Sequence, residues 1–133
     1  MKVLIAEDDA ASLLLLKAQL RRLGHEVTAT RDGQQAWAAL EKEPHPLVVS
    51  DCQMPELDGF ELCRRVRAMA GRPYTYVILL TAHPSGEEYE RGMQAGADDF
   101  LGKPLDAEQL RARLRVAERI LSLEREVARL KGT

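Results

Sequence analysis

The sequence predicts an α/β domain: a doubly wound, five-stranded parallel sheet with an extended C-terminal helix. Three observations predict it. Short apolar runs alternate with longer stretches of helical period. The runs are largely continuous, as in strands buried on both faces, and turn residues separate the elements at short intervals. At 133 residues the chain has the length of one domain with room for a proper core.

The first strand is VLIA (3–6), followed directly by Glu7, Asp8 and Asp9. A helical stretch over 10–23 carries Leu13, Leu14, Leu15 and Leu16 in succession. Consecutive helical residues lie about 100° apart, so the four cannot share one core stripe. Leu16, Leu20 and Leu23 form the expected buried stripe, and at least one other leucine should face solvent or a partner. The second strand is EVTAT (26–30), and Asp32-Gly33 opens a helix over 33–42. LVVS (47–50) forms the third strand and ends on Asp51; a loop closed by Pro55 and Asp58-Gly59 leads to a third helix over 58–69. After Gly71-Arg72-Pro73, YVILL (76–80) ends on Thr81. The fourth helix, over 86–94, is expected to include Gly86 and Gly92, each less favourable than alanine by about 1 kcal/mol, so it should be loosely held. Ala95-Gly96 terminates it. DDFL (98–101) is the fifth strand, followed by Lys103-Pro104 and a final helix from about Asp106.

In a parallel sheet the C-terminal ends of all strands share one edge, where open α/β folds bind ligands. Glu7, Asp8, Asp51, Thr81 and Lys103 therefore converge on one crevice, and order 2-1-3-4-5 sets the first strand beside the third at the topological switch point. Three carboxylates within several ångströms repel unless one is protonated or a cation sits among them. An all-oxygen site open to solvent suits Mg²⁺ completed by a phosphate. An ammonium, a hydroxyl and a metal around Asp51 suit an aspartyl phosphate, because phosphoryl transfer depends on in-line positioning and charge neutralisation. Singly, each residue has a plain reading. Asp8 or Asp9 can be a helix N-cap, Thr81 a strand residue, and Lys103-Pro104 a turn. Their shared edge makes the combination informative.

The chain resembles the receiver domain of two-component response regulators, in the manner of the chemotaxis receivers, to about residue 120. The resemblance rests on VLIAEDD (3–9), SDCQMPELDGFEL (50–62), LLTA (79–82) and AGADDFLGKP (95–104). It implies that Asp51 accepts a phosphoryl group from a histidine of a sensor kinase or phosphotransfer protein. It implies Mg²⁺ on Glu7, Asp8, Asp51 and the backbone carbonyl of Gln53, with Thr81 and Lys103 contacting the phosphoryl group. Phe100 matches the family's switching aromatic, and a cis peptide is implied at Lys103-Pro104. The chain departs from the usual pattern in pairing Glu7 with Asp8 rather than two aspartates, and Phe100 lacks a tyrosine hydroxyl. Gln53 and His83, two residues after Asp51 and Thr81, flank the attacking water in this family and are expected to set phosphoryl lifetime. For His83 a plain polar loop residue before Pro84 is an equal reading.

From Asp106 to Lys131 no Gly or Pro interrupts the last helix, which reaches about 40 Å at a rise of 1.5 Å per residue. Leu110, Leu114 and Leu121 are expected against the sheet. Val116, Ile120, Leu123, Val127 and Leu130 follow spacings of 4, 3, 4 and 3. With Ile120 and Val127 at a and Leu123 and Leu130 at d, the seam suits a parallel two-stranded coil, and Arg119–Glu124′ and Glu126–Lys131′ would pair across it. The alternative is an amphipathic tail folded back on its own domain. The expected division is a receiver domain over 1–121 and a helical extension over 122–133, leading toward an output domain outside this chain.

The formal net charge of −2 gives no general attraction to nucleic acid, and no recognition-helix module is visible. No apolar run approaches membrane-spanning length, and the N-terminus is no signal peptide, so a soluble cytoplasmic protein is expected. Cys52 and Cys63 fit no CxxC spacing and read as reduced, partly buried thiols. The reading is a signalling switch, with a stand-alone receiver as one alternative. A Mg²⁺-dependent aspartyl phosphatase is less well served. Such enzymes typically use a second acid two residues after the nucleophile, where this chain has Gln53.

Overall fold

The structure, a computed structural model, describes residues 1–83 and 86–132. In chain order its elements are β1 (Lys2–Ala6), α1 (Ala10–Arg22), β2 (Glu26–Thr30), α2 (Gly33–Lys42), β3 (Leu47–Asp51), α3 (Gly59–Ala68), β4 (Tyr76–Thr81), α4 (Glu87–Ala95), β5 (Asp99–Gly102) and α5 (Ala107–Lys131). All strand pairs are parallel, in the order β2-β1-β3-β4-β5.

The apolar runs form central strands because both of their faces are covered. Side chains alternate along a strand, so Leu4, Val48, Val77, Leu79 and Phe100 enter one core with Leu40, Phe60 and Val66 from α2 and α3. Val3, Ile5, Val49, Ile78 and Leu101 enter the other with Leu16 and Leu20 of α1 and Leu110, Leu114 and Leu121 of α5. Helices thus lie on both sheet faces, and every strand delivers its last residue to the same edge.

Side chains close the helix starts. Asp9, Asp32, Asp58 and Asp106 each accept a hydrogen bond from a backbone N–H of the first turn. Of the Asp8-Asp9 pair, Asp9 is the cap, with Ser12 N–H donating to its Oδ2 at 2.9 Å, which frees Asp8 for the sheet edge.

Two sequence expectations need correction. Leu23 is not part of the buried stripe of α1. It is the C-cap, 37% exposed, because the chain leaves helical geometry there and turns at Gly24 with φ of 91°. Leu14 and Leu15 are exposed, as four successive leucines required. Gly86 is not inside α4. It is the N-cap residue, with φ of 94°, a conformation that a β-carbon makes costly.

Leu110 is fully buried between α5 and the sheet. Leu110→Ala should lower the unfolding free energy by about 2–5 kcal/mol in urea denaturation, and Leu14→Ala by less than about 0.5 kcal/mol. Burial, reinforced by the charges of Glu88 and Asp51, pushes the Cys52 thiol up to about 12, and burial pushes Cys63 to about 11, from an ordinary 9.0. Neutral thiols are favoured by the fold, and the unfolded chain releases those protons first. Their contribution to stability is therefore complete below 9.0 and should fall as pH rises through 11 to 12. Neither thiol should react with a disulfide reagent at about pH 8 until denaturant is added.

Candidate functional site

β1 ends at Ala6, β3 at Asp51, β4 at Thr81 and β5 at Gly102, so Glu7, Asp8, Asp51, Thr81 and Lys103 share the C-terminal edge. Glu7 N–H still donates to Thr30 carbonyl at 3.1 Å, and Lys103 N–H to Thr81 carbonyl at 2.9 Å, which extends the ladder into the site. Lys103-Pro104 is cis. Loop and helix after β3 press closely on the strand end: a β-carbon at Gly59 would lie 2.2 Å from the Asp51 carbonyl oxygen.

Glu7, Asp8 and Asp51 each present a carboxylate oxygen, all within 4.8 Å of one another. Glu7 is buried, and Asp9 N–H donates to its Oε2 at 3.2 Å. Lys103 Nζ donates to Asp51 Oδ2 at 2.7 Å and lies 2.7 Å from Glu7 Oε1. The second approach is an ion pair, and it brings the ammonium to buried Glu7 Oε1. Burial opposes the charge on Lys103, but the hydrogen bond from Lys103 to Asp51 and the proximity of Glu7 together outweigh it and hold its pKa above the ordinary value. One ammonium cannot balance three carboxylates. The donor set is all oxygen, and one member, Asp8, is exposed. These residues fit a small, hard, partly hydrated cation such as Mg²⁺.

Thr81 is buried on the other side of Asp51. His83 N–H donates to its hydroxyl oxygen at 3.1 Å, and the hydroxyl lies 3.2 Å from the His83 carbonyl. The hydroxyl also donates to Glu88 Oε1, while Gln53 Nε2 donates to Glu88 Oε2 at 3.0 Å. Asp51, Gln53, Thr81, His83, Glu88 and Lys103 line a cleft of about 540 Å³. His83 belongs to it through its backbone contacts with Thr81 and is exposed. Pro84, the residue paired with His83 in the plain loop reading, lies outside the described residues.

Phe100 is buried, its ring centroid 4.9 Å from that of Tyr89 on α4. A β-carbon at Gly92 would come within 2.2 Å of Phe100 Cζ. Gly92 therefore gives Phe100 its seat as well as weakening the helix.

Residues 3–115 match the response regulator receiver domain. The chain belongs to that family. Over 118 residues the receiver domain is 38% identical to the transcriptional regulatory protein TcrA of Mycobacterium tuberculosis, covering 89% of this chain and 46% of that protein. The chain spans about half the length of several relatives it matches. Chemotaxis protein CheY4 of Vibrio cholerae superposes with a TM-score of 0.82 at 31% identity, over 87% of this chain and 97% of that one. The receiver domain of sensor histidine kinase PA1611 from Pseudomonas aeruginosa, solved with a magnesium ion coordinated in its active-site cleft, gives a TM-score of 0.80 at 32% identity. That match covers 91% of this chain and 97% of the other.

The expected residues Glu7, Asp8, Asp51, Gln53, Thr81, His83 and Lys103 therefore gather at one edge, and Phe100 lies under α4. Glu88 carried no distinguishing sequence signal. It reads as one of several first-turn acids of α4, with Glu87 and Glu90, and only the helix rotation aims it at Thr81 and Gln53.

Gly92→Ala should displace the Phe100 ring and destabilise the domain by about 1–3 kcal/mol, because the added carbon meets an aromatic edge in a packed core. Denaturation gives the energy. A crystal structure of the variant should show the Tyr89–Phe100 stack broken.

Proposed function

We propose that this receiver domain is a phosphorylation-controlled signalling switch that accepts a phosphoryl group on Asp51. The observation that carries this reading is the Lys103 ammonium between Asp51 and buried Glu7, beside a three-carboxylate cluster. Its donor would be a phosphohistidine on a sensor kinase or phosphotransfer protein. An Asp51 carboxylate oxygen attacks phosphorus in line, the P–O bond forms and the P–N bond breaks. The electron pair returns to the imidazole nitrogen, which takes a proton. Glu7, Asp8, Asp51 and the Gln53 carbonyl would hold Mg²⁺, which when bound neutralises the phosphoryl oxygens. Lys103 orients Asp51 and then shares the phosphoryl charge. Thr81 donates its hydroxyl to a phosphoryl oxygen, and Phe100 follows the repacking of the Thr81 side of the cleft. Gln53 and His83 set how readily water reaches the phosphorus. In this reading the domain catalyses only its own phosphorylation and dephosphorylation.

Residues 1–121 form the switch, and beyond them α5 runs on to Lys131, toward an output domain; Thr133, the end of the expected extension, lies outside the described residues. From 122 to 132 every residue is exposed, while Leu121 is the last buried one. This exposure supports a projecting extension over a tail folded back on the domain. Val116, Ile120, Leu123 and Val127 are exposed along α5, with Leu130 in the same register. The switch would form a homodimer through this seam. Glu126 already pairs with Arg129 one turn along its own helix, so the cross-seam pair with Lys131′ would compete with a local one. Neither nucleic acid nor membrane is a proposed direct partner; among the described residues no helix is long and apolar enough to cross a membrane.

Incubation with Mg²⁺ and an acyl phosphate should add one phosphoryl group by intact mass. Asp51→Asn, or omission of Mg²⁺, should abolish it. An adduct on Asp51→Asn would overturn the assignment. Sedimentation equilibrium should show a concentration-dependent dimer that Leu123→Glu converts to monomer. A monomer at all concentrations would remove the seam and leave the switch intact.

A further inference from the structure

We propose that Glu88 is an internal competitor for the phosphoryl site: its carboxylate holds the hydrogen-bond donors of Thr81 and Gln53, and phosphorylation evicts it and releases the start of α4. This rests on the reading of Asp51 as phosphoacceptor.

Thr81 has one hydroxyl proton. Its oxygen accepts from His83 N–H, and two acceptors stand within reach of the proton, the His83 carbonyl and Glu88 Oε1. An ionised carboxylate is the stronger acceptor. The other oxygen of the same carboxylate takes the Gln53 amide at 3.0 Å. Glu88 thereby ties α4 to Gln53, just after β3, and to Thr81, the last residue of β4, on the two strands beside the phosphoacceptor side of the cleft. A phosphoryl group on Asp51 would need these same donors and would bring a charge of about −1.5 to −2 against the carboxylate. Both effects push Glu88 out.

Few side chains hold the start of α4. Gly86 caps the helix without a side-chain hydrogen bond, so the clasp of Glu88 is the hydrogen-bonded side-chain attachment of the first turn among the described residues. The next residue, Tyr89, stacks on Phe100, and one turn on from Glu88 Gly92 receives the same ring. A shift of the first turn therefore reaches the aromatic directly. By linkage, anything that draws Glu88 away also favours the phosphorylated state.

Glu88→Gln keeps the shape and removes the charge; Glu88→Ala removes the clasp. The donor is acetyl phosphate with Mg²⁺: Asp51 oxygen bonds phosphorus, the acyl P–O bond breaks, and acetate leaves with the electron pair. Followed by intact mass, the phosphorylation rate of both variants should rise about three- to tenfold, the range of one lost competing hydrogen bond. Half-saturation by beryllofluoride, a phosphoryl analogue, should fall by a similar factor. Glu90→Gln removes the same charge from the same turn without the clasp and should stay within about twofold of the parent. Without Mg²⁺ or donor, Glu88→Ala should also exchange the amide hydrogens of 87–95 faster than the parent. Unchanged or slower phosphorylation in both Glu88 variants, or an equal gain in Glu90→Gln, overturns the proposal. If the parent takes up no phosphoryl group, the phosphoacceptor reading fails; unchanged exchange in Glu88→Ala would then remove the clasp as well.

Discussion

The structure is organised around a charge imbalance at one edge of a buried sheet. Glu7, Asp8 and Asp51 stand within 4.8 Å of one another, and a single ammonium, Lys103, reaches two of them. Such a cluster is costly in a partly desolvated site. It persists because the strands that carry it are locked on both faces by apolar cores and cannot retreat into solvent. The core therefore supplies the rigidity and the edge supplies the chemistry. Lys103 offsets part of that charge, and its raised pKa reflects the pairing with Asp51 and Glu7.

Rigidity is unequal around the cleft. On the β1 and β3 side, backbone hydrogen bonds and the close approach of Gly59 to the Asp51 carbonyl hold the acidic residues tightly. On the β4 side, α4 starts at a glycine without a side-chain cap, and its hold on the sheet includes the Glu88 clasp, the Tyr89–Phe100 stack, the Phe100–Gly92 contact and buried Ala95. In the proposed switch, a new anion on Asp51 would act on a firm floor and a less firmly fastened wall, which a charged side chain, Glu88, helps to hold.

The long α5 divides similarly. Its first half is pinned to the sheet by Leu110, Leu114, Ala117 and Leu121, while residues beyond 121 are exposed. A change at the cleft that repacks α4 and β5 acts on a helix whose near end is fixed in the core and whose far end projects from it. The exposed Leu123 and Val127 lie on the projecting side of that boundary, with Ile120 just before it.

Sequence alone determined the five strands, the parallel order and the convergence of Glu7, Asp8, Asp51, Thr81 and Lys103, because continuous apolar runs encode burial on both faces and a parallel sheet aligns all strand ends. It also placed Leu110, Leu114 and Leu121 of α5 against the sheet, since they recur on one helical face. Only the tertiary structure decided which acid of Asp8-Asp9 caps α1, why Leu23 leaves its stripe, that Gly86 precedes α4, that Gly92 seats Phe100, and that Glu88 rather than Glu87 or Glu90 grips Thr81 and Gln53. Periodicity reports burial along a single element. Contacts between elements depend on where a loop ends and how far the next helix is rotated, and a shift of one residue, about 100° on a helix, aims a different side chain at the site.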